Sequence, residues 1–169
     1  MKKYFFFCIL LLLPIIGIAQ TYKYIGVEDG LSNRRVYAIQ KGPKGYMWFL
    51  THDGIDRYNG KEFKPYKLMD GDEAVNSMMN LNWLYVDSKG TIWEIGKKGR
   101  VFRYDTKHDR FVLVYKLPES EVKGRPTSIS YGFVDANSVI WLCNEDALYL
   151  YDSNTQKVTF IQNEIGERI

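Results

Sequence analysis

Cysteine and histidine are scarce in this sequence, with two of each among 169 residues. Cys8 lies in an apolar N-terminal stretch that we expect to be removed, which leaves Cys143 alone and excludes an internal disulfide. Cys143 belongs to a strand-like apolar run and is interpreted as a buried structural thiol. Because His52 and His108 are far apart along the chain, the sequence predicts no metal site and no cofactor.

Motifs of catalysis and phosphotransfer are also missing. The sequence has no Gly-rich ATP site, no acidic phospho-acceptor pocket and no helix-turn-helix pattern, and neither histidine lies in a helical segment. A catalytic pair cannot be chosen by spacing among the 20 Asp and Glu residues. Enzymatic, kinase and transcription-factor roles are therefore not expected of this chain.

The N terminus has the order of a secretory signal. Lys2 and Lys3 precede an apolar stretch from Tyr4 to Ala19, which ends in small residues. At 16 residues this stretch is shorter than the ~20 needed to span a bilayer, which argues against a membrane anchor. We predict a signal peptide over residues 1–19 and an exported, periplasmic chain with no membrane span after cleavage.

The positive charge of the whole chain comes mostly from that segment. Removing it takes away two Lys and no acidic residue, so the formal net charge falls from +3 to +1. A nearly neutral chain gives no support for a nucleic-acid partner. The hydrophobic fraction of 46% and the charged fraction of 25% are those of a globular protein, so global disorder is not expected.

The chain after the signal contains three copies of one unit. Trp48, Trp93 and Trp141 are separated by 45 and 48 residues, a period within reach of β-propeller blades. We interpret these tryptophans as packing residues between blades. A tyrosine and a glycine, or a small residue in place of the glycine, recur at matching positions around each Trp. This repeated spacing marks them as structural. These repeat residues are Gly45, Gly90, Gly54, Gly99, Tyr58, Tyr104 and Tyr151.

Each copy predicts four short antiparallel strands, a to d. Turns rich in Asp, Pro and Gly join strands a and b, as tight hairpins require. Strand b carries the Trp and strand c ends at the Tyr. The predicted strands a and d are Val36–Lys41, Leu81–Val86 and Ile129–Val134, and Glu62–Tyr66, Arg110–Tyr115 and Lys157–Ile161. The predicted fold class is all-β, a partial β-propeller of about three four-stranded antiparallel blades that do not close.

The predicted organisation follows these copies. Residues 20–35 form a lead-in strand and loop, in which Tyr22–Ile25 resembles a strand d without a blade of its own. The blades occupy residues 36–66, 81–115 and 129–162, and residues 163–169 form a truncated tail. Because rings typically close with 4–8 blades, we expect an N-terminal piece of a larger propeller with one blade face exposed.

Two motifs resemble the two-component regulator propeller repeats: the block from Glu28 to Asn33 followed by Val36, and the pattern from Asp87 to Trp93. The resemblance covers essentially all of Tyr22–Ile161. It implies a fragment of the periplasmic sensor region of a hybrid two-component system, in which propellers precede a membrane helix, a histidine kinase, a receiver and a DNA-binding domain. Many members sense glycan fragments, so the resemblance implies an oligosaccharide ligand and the remaining propeller blades as partners.

A ligand is expected on the face that collects the d–a and b–c loops, because loops on a rigid scaffold are where binding usually occurs. We take Arg34, Arg35, His52, Asp53 and Trp83 as candidate ligand-binding residues. Arginine and histidine suit an anionic or hydroxyl-rich ligand, and a tryptophan ring can stack on it. Two alternatives stay open: the loops are an ordinary solvated surface, and Trp83 is a core residue.

Two functions remain open from the sequence. The first is an N-terminal fragment of the ligand-sensing β-propeller of a two-component signal transduction receptor, with a glycan-derived ligand. The second is a free-standing exported binding or scaffold module. They differ in whether further repeats, a membrane helix and a kinase follow this chain.

Overall fold

The computed structural model describes residues 22–75, 81–118, 128–144 and 147–162. The predicted signal peptide at 1–19 and the predicted tail at 163–169 lie outside these residues. The strands of the described part form three four-stranded antiparallel sheets and one two-stranded sheet, and none of these sheets closes on itself. The all-β class and the three-blade architecture are thereby confirmed. In the same part of the chain, no helix is long and apolar enough to cross a membrane.

Each four-stranded sheet is one blade, with its strands hydrogen-bonded in chain order. Blade 1 comprises β1 Val36–Lys41, β2 Met47–Thr51, β3 Gly54–Tyr58 and β4 Phe63–Tyr66. Two short paired strands lie between blades 1 and 2 in the chain, β5 Met69–Asp70 and β6 Glu73–Ala74. Blade 2 comprises β7 Leu81–Val86, β8 Ile92–Gly96, β9 Arg100–Asp105 and β10 Arg110–Lys116. Blade 3 comprises β11 Tyr131–Val134, β12 Val139–Cys143, β13 Ala147–Asp152 and β14 Lys157–Gln162.

The turn between the first two strands of a blade is closed in two different ways. In blade 2, Asp87 Oδ1 accepts hydrogen bonds from the backbone N–H groups of Lys89 and Thr91, at 2.9 and 2.8 Å. Asp135 makes the same pair of bonds to its own turn in blade 3. Blade 1 has no Asp there and instead forms a short 3-10 turn at Pro43–Gly45. A side-chain acceptor and a fixed proline φ both stabilise a tight turn.

The blades pack face to face through two apolar cores. Because side chains alternate between the two faces of a strand, each blade has a leading face toward the preceding blade and a trailing face toward the next one. The core between blades 1 and 2 contains Trp48, Leu50, Ile55, Tyr66, Leu68, Leu84, Ile92, Phe102 and Phe111. The core between blades 2 and 3 contains Trp93, Ile95, Val101, Leu117, Ile129, Val134, Ile140, Leu142 and Tyr151. Each large apolar side chain buried in this way contributes roughly 1.5–3 kcal/mol.

The repeat residues occupy matching places in the blades. Trp48 and Trp93 are buried in the two cores, whereas Trp141 is half-buried on the trailing face of blade 3. The repeat tyrosines are buried or half-buried: Tyr58, Tyr104 and Tyr151. All four repeat glycines have positive φ: Gly45, Gly54, Gly90 and Gly99.

The structure differs from the predicted lead-in strand. Tyr22–Gly26 has irregular backbone and is followed by a 3-10 turn at Val27–Asp29, so the strand predicted at Tyr22–Ile25 is not formed in the described residues. The physical reason is that no described strand lies beside this segment, since a strand needs a hydrogen-bonded partner. The tip of the lead-in is nevertheless attached to blade 1, because Leu31 is buried.

The described part of the connection between blades 1 and 2, residues 67–75, includes two short strands. These strands, β5 and β6, pair as a hairpin in a segment where the sequence predicts no strand. Asp70 of this hairpin accepts hydrogen bonds from Arg100 at 2.7 Å and Lys116 at 3.1 Å, both in blade 2. The hairpin is therefore fastened to blade 2 by two ion pairs.

Candidate ligand-binding site

The loops expected to share one face do meet there. The backbone N–H of His52, in the β2–β3 turn, donates to the carbonyl of Arg35 at the start of β1, at 3.0 Å. In blade 2 the N–H of Leu117, just after β10, donates to the carbonyl of Gly99 in the β8–β9 turn at 2.9 Å. The b–c and d–a connections thus lie on a common face, as the meander topology predicts.

Three of the predicted site residues come together on blade 1. The side-chain Nδ2 of Asn33 donates to Asp53 Oδ2 at 3.0 Å, and its Oδ1 accepts from the N–H of Arg35 at 2.9 Å. The hydroxyl of Tyr37 is hydrogen-bonded to Nδ1 of His52 at 2.9 Å. We call these five residues, Asn33, Arg35, Tyr37, His52 and Asp53, the loop cluster.

A buried carboxylate holds the loop cluster against blade 1. Asp56 is fully buried on β3, where Ser32 donates its hydroxyl to Oδ1 at 2.5 Å and its N–H to Oδ2 at 3.1 Å. Burial raises the pKa of Asp56, the two bonds from Ser32 lower it in part, and the charge of Asp53 raises it again. Because these bonds hold Ser32 in place, the neighbouring residues of the loop cluster have a defined position on blade 1.

Trp83 lies outside the loop cluster. It is half-buried on β7, on the trailing face of blade 2, where it packs against the second core. Its ring meets Tyr131 of blade 3 edge to face, with centroids 6.1 Å apart. This environment favours the alternative that Trp83 is a core residue. Arg34, by contrast, is exposed on the lead-in loop beside Asn33.

The loop cluster and Arg34 together suit a polar ligand. Arg34 and Arg35 are exposed, and a guanidinium donates in a planar fork to carboxylate or sulfate groups. Tyr37 and His52 offer exchangeable donors and acceptors, and Asp53 offers a carboxylate acceptor for hydroxyl groups. No three His, Cys, Asp or Glu side chains in the described ranges are placed to hold a metal ion.

A second polar cluster lies where blade 1 meets the β9–β10 turn of blade 2. The carboxylate of Asp109 accepts hydrogen bonds from Arg57 at 3.1 Å and from the Tyr66 hydroxyl at 2.6 Å, and also from Tyr104 and Lys64. Burial acts to raise the pKa of Asp109, but these bonds outweigh it and hold the pKa well below its ordinary range. Because Arg57, Lys64 and Tyr66 of blade 1 all donate to Asp109 of blade 2, this cluster fastens the two blades together.

Sequence reasoning missed the residues that act through burial or through contacts between blades. Asp56 and Glu94 each follow an apolar residue inside a predicted strand, and a carboxylate at such a position is a signal that was available. Asp109 carries no comparable signal, because aspartate is common in turns. Its role depends on side chains of blade 1 that are far away in sequence.

Comparison with family models gives one match. The two component regulator propeller model matches residues 30–53, which hold the end of the lead-in, β1, β2 and the β2–β3 turn. The resemblance to these repeats is thereby confirmed over the matched residues. All five residues of the loop cluster lie in this segment. No curated protein matches the sequence.

Solved structures share the fold of the described blades. The extracellular domain of a protein described as a hybrid two component system, BT3049 from B. thetaiotaomicron, is 23% identical, with a TM-score of 0.63 over 85% of this chain and 20% of that one. A second extracellular domain from that organism, of BT4673, is 21% identical, with a TM-score of 0.66 over 89% of this chain and 20% of that one. The chain therefore spans about a fifth of the length of these domains. At these identities the likeness establishes the β-propeller fold.

Proposed function

We propose that this chain is the N-terminal part of an exported, periplasmic ligand-sensing β-propeller of a two-component signal transduction receptor, with a glycan-derived ligand and no catalytic role of its own. The signal-like residues 1–19 support export. The family match at residues 30–53 and the likeness to extracellular domains of two component systems support the receptor. The loop cluster and Arg34 supply the polar groups for a hydroxyl-rich ligand.

The trailing face of blade 3 is the observation that carries the proposal. Phe133 lies opposite Trp141 on neighbouring strands, and Ile161 lies opposite Leu148, so these side chains share one side of the sheet. Tyr131, Phe133 and Ile161 on this side are 57%, 42% and 50% exposed. The rings of Tyr131 and Phe133 also touch one aromatic ring each of blade 2, but most of this side is left open. Blade 3 thus presents an apolar face to solvent within the described structure.

The same side is covered in the other two blades. Trp48 and Trp93, the counterparts of Trp141, are 2% and 1% exposed because the next blade packs on each of them. A contiguous exposed apolar face marks a packing surface. The partner that fits it is a further blade, so we expect the remaining propeller blades of a longer receptor to cover it.

Self-association tests this part of the proposal. Light scattering during size-exclusion chromatography of the full chain should show concentration-dependent association through the uncovered face. The double variant Phe133→Ser/Ile161→Ser should reduce that association. Tyr24→Ser/Val27→Ser, which removes exposed apolar groups elsewhere, is the matched control and should behave like the wild type. A monomeric wild-type chain would support the free-standing module instead.

Ligand binding is tested separately on an array of neutral and acidic oligosaccharides. Arg35→Ala and His52→Ala should each weaken binding about tenfold, which corresponds to the loss of one charge-assisted contact. Lys41→Ala removes a cation at the opposite end of β1 and should leave binding unchanged. Equal binding by all three variants would exclude the loop cluster as the site.

A further inference from the structure

Glu94 is a carboxyl group inside an apolar core. It lies on β8 between Trp93 and Ile95 and is fully buried. Neither carboxylate oxygen has a hydrogen-bond partner among the described residues. Its neighbours across the sheet, Leu84 and Phe102, belong to the core between blades 1 and 2. An ionised carboxylate in these surroundings is far more costly than the neutral acid.

The fold itself does not require an acid at this position. One residue after the repeat Trp stand Phe49 in blade 1 and Leu142 in blade 3. Leu142 is fully buried in the core between blades 2 and 3, which is built from the same strands of the repeat. The second interface therefore serves as an internal control in which an aliphatic side chain takes the place of Glu94.

The other charged groups of this interface are engaged with one another at its two ends. At the β9–β10 turn the titratable groups are Arg57, Lys64, Tyr66, Tyr104 and Asp109, with Tyr46 packed under the guanidinium of Arg57. Beside the β5–β6 hairpin they are Asp70, Arg100 and Lys116. None of them donates a hydrogen bond to Glu94. Glu94 thus lies between two ion-pair clusters and is joined to neither.

We propose that the interface between blades 1 and 2 is a proton-controlled joint, which stays packed while Glu94 is protonated and loosens when Glu94 loses its proton. Packing of the two blades removes the carboxyl from water. Separation of the blades returns it to water, where the charged form is stable. A change of pH would in this way move one blade relative to the rest without altering the loop contacts directly.

The direction of the pH effect follows from burial, which raises the pKa of Glu94 well above its ordinary value. Above the ordinary pKa the open form binds fewer protons than the packed form. The interface is therefore most stable below the ordinary pKa and weakens as the pH rises toward the raised one. Asp109 and Asp70, whose pKa values are lowered by their partners, lose their contribution only at lower pH.

Hydrogen exchange and urea unfolding of the full chain, from about pH 5 to about pH 8, test the joint. In the wild type the urea midpoint should fall with pH, with a loss of up to about tenfold per pH unit in the equilibrium constant for packing. The amides of β2 and β8 should lose protection beyond the intrinsic pH effect on exchange, whereas those of β12 should not.

Two substitutions at Glu94 decide the outcome. Glu94→Leu copies the second interface and should give a urea midpoint that is higher and independent of pH in this range. Glu94→Gln, a neutral side chain of the same shape, should also be independent of pH and provides the test if the Leu variant does not fold. A wild-type pH dependence in either variant would overturn the proposal, as would an equal loss of protection in β12.

Discussion

Blades 1 and 2 hold the same repeat tryptophan in different ways. In blade 2 the indole Nε1 of Trp93 donates to Asp87 Oδ2 at 2.9 Å. In blade 1 the position of that aspartate is Gly42, and Nε1 of Trp48 is buried with no hydrogen-bond partner in the described structure. The same position of the repeat therefore holds a hydrogen-bonding Asp87 in blade 2 and Gly42, which has no side chain, in blade 1.

Gly42 is needed in blade 1 for space and not for backbone conformation. Its φ of −95° is open to any residue. A Cβ added to it would lie 2.7 Å from Cδ1 of Trp48, closer than such atoms approach. The indole of Trp48 thus occupies the volume that the Asp87 side chain fills in blade 2. Close packing of the ring replaces the hydrogen bond. The two blades thus fill the same volume at this position with different chemical groups.

Blade 3 follows the pattern of blade 2, and Asp87 links the two blades. Nε1 of Trp141 donates to Asp135 Oδ2 at 3.1 Å. Asp87 also accepts a bond of 2.8 Å from the hydroxyl of Ser138, in the corresponding turn of blade 3. Burial acts to raise the pKa of Asp87, but the bonds from Trp93, Ser138 and its own turn outweigh it and lower the pKa.

The largest effect is expected from Asp87→Ala. It removes the acceptor of two backbone and two side-chain donors and leaves the buried Nε1 of Trp93 unpaired, so we expect a loss of about 4 kcal/mol in the free energy of unfolding. Asp135→Ala is the matched control, since it removes a similar turn without a link between blades, and should cost about half as much. Urea unfolding measures both, and equal losses would contradict a linking role for Asp87.

An attempt to make blade 1 resemble blade 2 should fail. Gly42→Asp introduces the repeat aspartate but forces it against Trp48, so we expect a loss of about 2 kcal/mol, as for an overpacked core. Combining it with Trp48→Phe, which leaves a smaller ring there, should recover part of that loss. Thermal unfolding of the single and double variants is the measurement. A stabilised Gly42→Asp variant would show that Trp48 moves freely to accept the new bond.

The smallest effect is a difference between two similar substitutions. Trp93→Phe removes a hydrogen bond to a carboxylate, whereas Trp48→Phe removes an unpaired buried donor. With the change in ring size in common, Trp93→Phe should cost about 1.5 kcal/mol more in the free energy of unfolding than Trp48→Phe. Urea midpoints of the two variants give this difference. Equal midpoints would mean that Trp48 has an acceptor in solution.

Much of the fold could be predicted because its signals are local. The Trp period, the Asp and Gly turns and the short apolar strands predict three four-stranded blades, and the structure has them. The lead-in strand was not predicted correctly, because Tyr22–Ile25 has the residues of a strand but no neighbouring strand among the described residues. Within the candidate site, loop topology brought Arg35, His52 and Asp53 to one place. It did not reveal Asn33 and Tyr37 as their partners, since those contacts depend on side-chain geometry.

Local signals in the sequence specify the repeat, the number of blades and the face on which their loops meet, because turn chemistry and strand alternation act over a few residues. Which carboxylates are buried or paired depends instead on how the blades pack together. Asp87 is tied to Ser138 of the next blade, Asp109 to Arg57 of the preceding one, and Glu94 to no partner. The reason is that burial and hydrogen bonding are set by residues far apart in the chain, which meet only when one blade packs on another.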